Sequence, residues 1–118
     1  MAKEINLENI GRYIKALHCH IRWVLIDILK SGPKSSDEIF TILKDIDKGV
    51  DKNNMCRGMC GKGDFKDLKK ASLYYHLRAL EGVGIIEADY QPSESGRAPE
   101  KVWKLNLEKL VINFKDNQ

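Results

Sequence analysis

The stretch from 67 to 105, DLKKASLYYHLRALEGVGIIEADYQPSESGRAPEKVWKL, constrains the fold most, because it passes once from a helical repeat to two short β-prone runs. Leu73, Leu77, Leu80 and Val83 stand at i, i+4, i+7 and i+10 and so share one face of a helix, with Leu68 near the same stripe. Asp67 is a cap candidate at its start, and Gly82 or Gly84 can take the left-handed backbone that ends it. After the turn, IIEADY and KVWKL read as strands, and the polar QPSESGRAPE between them reads as a long hairpin loop with Arg97 beside Gly96.

The helix leaves Lys69, Lys70, Ser72, Tyr74, Tyr75, His76 and Arg78 away from its apolar stripe. Cations, hydroxyls and aromatic edges in that mixture suit a groove of phosphates and base edges. Ser72, Tyr74, Tyr75 and Arg78 are the candidates for base edges or phosphates, and Lys69 and Lys70 for the phosphate backbone. A tyrosine often buries its ring and exposes its hydroxyl, so one of the pair is expected under the hairpin. His76 is expected to be a packed helix histidine.

SLYYHLRALEGVGIIE followed by GRAPEKVWKL resembles the recognition helix and wing of ArsR-type winged-helix transcription regulators, especially small archaeal ones. The resemblance covers residues 20 to 105 in outline and is most specific from 68 to 105. It implies an α+β winged helix-turn-helix with a two-stranded wing, a homodimer, and double-stranded DNA as partner, most simply as a repressor. It also implies groove-facing side chains at Ser72, Tyr74 and Tyr75, where the tyrosines replace the smaller Ser or His common in the family. Arg97 becomes the wing residue for the minor groove, whose negative potential attracts arginine, and Lys101 a neighbouring phosphate contact. The competing reading is a winged-helix module that docks on proteins of the transcription machinery.

A length of 118 residues fits one domain, 1–118. The net charge of +3 is a weak pointer to nucleic acid, but its distribution is informative. Residues 61 to 80 carry five cations against Asp64 and Asp67, whereas residues 81 to 118 carry five cations against seven anions. The basic excess therefore lies on the proposed reader, although a solvated lysine-rich face would also explain such a cluster. Lys62 and Lys66, just before it, are further phosphate candidates. No long apolar run or secretory leader is recognisable, so a cytoplasmic protein without a membrane span is expected.

Residues 6 to 30 form one long helical pattern or two helices meeting near His18 to His20, with Asn6 as cap. Leu7, Ile10, Ile14 and Leu17 make one stripe and Ile21, Leu25, Ile28 and Leu29 another. The leading part, 1–19, is expected to be a helical extension that serves dimerisation. Gly32 and Pro33 stop the pattern, and Ser35 or Ser36 caps the next helix, with Asp37 and Glu38 at its positive end and Ile39, Phe40, Leu43 and Ile46 inside. The final stretch, 107–118, is read as a helix capped by Asn106, with Leu107, Leu110, Val111 and Phe114 on one face. Trp103 and Trp23 are both expected in the core.

Residues 45–67 depart from the family pattern, being far longer than the usual link of a helix-turn-helix. They hold Cys56 and Cys60 at C-x₃-C spacing among glycines. Three readings stand: two thiolates for zinc or another soft metal, with help from Cys19, His18 or His20; a redox pair; or free thiols in a loop. No cofactor is required by any motif. No phosphate-binding glycine loop, H-E-x-x-H or nucleophile elbow occurs, and no enzyme is expected.

Overall fold

The computed structural model describes residues 2–46, 68–92 and 98–115. In chain order it has β1 (Ala2–Asn6), a 3₁₀ turn (Leu7–Asn9), α1 (Ile10–Leu17), α2 (His20–Leu29), β2 (Lys34–Ser35) and α3 (Ser36–Ile46). Then follow α4 (Lys70–Gly82), β3 (Ile86–Gln91), β4 (Glu100–Leu105) and β5 (Lys109–Asn113). The result is a mixed α+β domain with four helices and two small sheets among the described residues.

The apolar stripes read from sequence meet at the centre. Leu25 and Leu29 of α2, Ile39 and Leu43 of α3 and Leu73, Leu77 and Leu80 of α4 are all buried, with Ile86 and Trp103 closing the core from the sheet. Each helix thus hides one face, and burial of such side chains contributes about 1.5–3 kcal/mol apiece. The Trp103 indole N–H, deep in this core, donates to Ser36 Oγ at 3.0 Å and leaves no unsatisfied donor. Leu68 and Val83 pack at the margin of the same cluster.

Local signals fix where the elements stop. Gly32, at φ 130°, lets the chain leave α2, and Gly84, at φ 79°, makes the tight turn from α4 into β3. Ser35 Oγ accepts from the Glu38 amide at 3.2 Å while Glu38 Oε1 accepts from the Ser35 amide at 3.1 Å. This reciprocal pair is a capping box, and it satisfies donors that the start of α3 would otherwise leave open. Between α1 and α2 the break is made by Cys19, in extended conformation at ψ 135°.

β3 and β4 form the antiparallel hairpin, from Ile86 opposite Leu105 to Gln91 opposite Glu100. β2 adds a third strand on the other edge of β4, with Ser35 opposite Val102, so the sheet order is β2-β4-β3 rather than the two strands expected. The two-residue β2 was hidden in the turn signal SGPKS, where a strand this short has no period to detect.

Both chain ends depart from the sequence reading. Residues 2–6 are a strand, and α1 begins only at Ile10, so 1–19 is no continuous helix; Asn6 makes no side-chain cap. The expected C-terminal helix over 107–118 is replaced by β5, which pairs in parallel with β1 from Ala2 opposite Lys109 to Asn6 opposite Asn113. Asn106, read as a helix cap, instead donates from Nδ2 to the Gly84 carbonyl at 3.0 Å. Val111 and Ile112 favour an extended chain, and a strand partner from the far end of the sequence makes that preference decisive. α1 is also rotated from the expected face: Tyr13 and Ala16 are buried, while Leu7 and Ile14 are half exposed. Trp23, expected inside, is 49% exposed, and its indole N–H donates to the Leu17 carbonyl.

Asp67, Cys56, Cys60, Lys62, Lys66 and Arg97 lie outside the described residues, as does the side chain of Ile46. No helix among the described residues is long and apolar enough to cross a membrane.

Candidate nucleic-acid interface

On one side α4 packs against α1 and α2, which carry Arg12, Lys15 and Arg22, and on the other against the β3–β4 hairpin, where Lys101 and Lys104 stand among Glu87, Asp89 and Glu100. The buried stripe of Leu73, Leu77 and Leu80 points inward, which by helical geometry turns Ala71, Ser72, Tyr75 and Arg78 outward. Lys69, Lys70, Ser72, Tyr75 and Arg78 are all exposed, and no acidic residue occurs from Leu68 to Leu80.

The candidate residues do not form one cluster. Lys69 and Ser72 are exposed near the N-terminal end of α4. Lys70 is also exposed but reaches Asp37 of α3, with Nζ 2.9 Å from the carboxylate; an ion pair this exposed is weak and yields readily to another anion. Lys70 and Lys44 also lie over the Phe40 ring, at 5.8 and 4.8 Å from its centroid.

Tyr74 and Lys101 meet on the hairpin side. The Lys101 ammonium donates to the Tyr74 hydroxyl at 2.7 Å, and the Tyr74 ring stands edge-on to Trp103 with centroids 5.6 Å apart. Tyr74 is therefore the tyrosine that packs under the hairpin. Its hydrogen bond raises the Lys101 pKa above the ordinary lysine value, and the charge also lies 4.5 Å from the Trp103 ring centroid. Lys101 is thus a cation held in place beside α4.

Tyr75 and Arg78 face the other flank, across a groove from Arg12, Lys15 and Arg22. Tyr75 is 63% exposed, and the Arg22 guanidinium carbon lies 5.6 Å from its ring centroid. Arg22 itself is buried. Its Nη1 donates to the carbonyls of Lys15 and Ala16 at 2.9 and 3.2 Å, satisfying acceptors at the end of α1, and its Nε donates to His76 Nδ1 at 3.0 Å. His76 is accordingly a packed histidine. Burial, with the Arg22 charge second, lowers its pKa to about 4, so the ring is neutral at physiological pH.

Sequence reasoning missed Arg12, Lys15 and Arg22. A signal for Arg22 was present, since Arg22, Leu25 and Leu29 stand at i, i+3 and i+7 and put a cation on the buried stripe of α2. Arg12 and Lys15 come to the groove only because α1 packs beside α4.

Cys19 is half-buried against the core, in keeping with a small packed residue. Among the described residues no three His, Cys, Asp or Glu side chains are grouped to hold a metal ion. Comparison of the sequence with family models gives no match, and comparison with curated proteins gives none either.

Proposed function

We propose that this chain is a winged-helix protein that binds duplex DNA, with α4 as the reader and the β3–β4 hairpin as the wing, and that it regulates transcription, in the simplest case as a repressor occupying a promoter. The observation that carries the reading is the outward face of α4. Lys69, Ser72, Tyr75 and Arg78 are exposed on a helix free of acidic residues from Leu68 to Leu80. A helix with its side chains is about 10–12 Å across, and the major groove of B-DNA is about 12 Å wide. Cations on both flanks, Lys101 on one side and Arg12 and Lys15 on the other, suit the phosphates bordering that groove.

A homodimer completes the proposal. Leu7 and Phe114, near the two chain ends, are exposed apolar side chains suited to a second copy, and two-fold pairing matches palindromic sites. The test is selection from a random duplex pool with the full chain, followed by sedimentation of the complex. Enrichment of one motif, as an inverted repeat bound by two copies, is the expected result. Failure to enrich any duplex would turn the reading toward a protein-docking module.

A further inference from the structure

A groove of about 810 Å³ runs between α1 and the outward side of α4. Arg12, Lys15, Arg22 and Arg78 line it, with no aspartate or glutamate among the lining residues. None of these four has an ion-pair partner among the described residues. The remaining lining is largely apolar, including Ile14 and Val83, and the volume lies within the range of small-molecule sites.

Arg22 makes the groove more than a basic surface. It is only 6% exposed, yet its hydrogen-bond partners are two backbone carbonyls and a neutral imidazole. A buried charge normally requires an opposite charge nearby, and among the described residues none is paired with it. Nε and both hydrogens of Nη1 are used in these contacts, while Nη2 makes no hydrogen bond among the described residues. A duplex backbone can reach the exposed Arg78, but a guanidinium as recessed as Arg22 admits only a small ligand.

We infer that this groove binds a small organic anion with a flat apolar body. The carboxylate or phosphate head sits between the open Nη2 of Arg22 and the guanidinium fork of Arg78, and the body lies against the Tyr75 ring, Ile14 and Val83. If α4 reads DNA as proposed above, an occupied groove withdraws Tyr75 and Arg78 from the duplex, and the ligand opposes DNA binding.

The test uses phenyl phosphate, inorganic phosphate and phenol, titrated separately into the isotope-labelled full chain at fixed ionic strength and followed by amide NMR shifts. Phenyl phosphate is expected to saturate, to shift amides around Tyr75 and Arg78, and to bind at least roughly tenfold more tightly than phosphate or phenol. Arg78→Ala and Arg22→Gln are each expected to weaken it by roughly tenfold or more, and Arg78→Ala keeps the test decisive should the buried variant fail to fold. Equal affinity for phosphate and phenyl phosphate, shifts scattered over the basic surface, or an unchanged Arg78→Ala affinity would overturn the inference. No DNA is present in this titration, so its outcome is separate from that of the duplex experiments.

Discussion

Arg22 of α2 donates through Nε to Nδ1 of His76 on α4, 3.0 Å away, and so ties the helix beneath the groove to the helix that forms its wall. The bond needs an unprotonated acceptor. Burial and the Arg22 charge supply one by holding His76 at about 4, below its ordinary 6.5. The unfolded chain therefore takes up this proton at higher pH than the native protein does. The stability associated with neutral His76 is complete above about 6.5 and is lost as the pH falls from there through about 4. His76→Gln removes the titration and keeps an acceptor. Urea unfolding across this window is expected to show a shallower decline for the variant, and equal slopes would contradict the assignment.

Ser35 and Glu38 form the capping box of α3. Ser35→Ala is expected to destabilise the protein by about 1 kcal/mol, within the usual 0.5–2 for such caps. Chemical denaturation with an unchanged m-value would verify that only stability has moved.

Trp103 is fully buried and joins the hairpin to α3 through its bond to Ser36. Trp103→Ala is expected to cost about 3–5 kcal/mol, enough to threaten folding in a domain of this size. Trp103→Phe retains most of the packing but leaves the Ser36 hydroxyl without its donor. Thermal unfolding should place the Phe variant between the wild type and the Ala variant.

Ile5 tests whether the terminal strands belong to the domain. It is 3% exposed and packs into the main core from β1. Ile5→Ala is expected to cost about 2–5 kcal/mol, and a negligible loss in denaturation would mean that β1 and β5 form a dispensable appendage.

What the sequence made legible was what local chemistry decides. The α4 stripe, the Ser35 cap, the Gly84 turn, the hairpin strands and the core position of Trp103 each follow from spacing or residue type within a dozen positions. The ends of the chain were misread because their structure is a contract between distant segments. Leu107, Leu110, Val111 and Phe114 satisfy a helical period, yet β5 exists because β1 lies beside it. Trp23 stands beside the apolar face of α2 rather than on it, and there its ring stays 49% exposed. At the candidate interface, Tyr75 and Arg78 were legible as outward residues of a helix. Their separation from Tyr74 and Lys101, and their approach to Arg12, Lys15 and Arg22, depend on which elements flank α4 and could not be read along the chain.

The central claim is that the outward face of α4 binds duplex DNA, and fluorescence anisotropy of a labelled, selected duplex at two salt concentrations tests it most directly. The wild type should lose affinity steeply as salt rises, because cations on the protein displace counterions from phosphates. Arg78→Ala should weaken binding by about 1–3 kcal/mol if the guanidinium reads a base, and Lys69→Ala should reduce the salt slope by about one if the ammonium holds a phosphate. Affinity that ignores salt and is unchanged in both variants would contradict the claim.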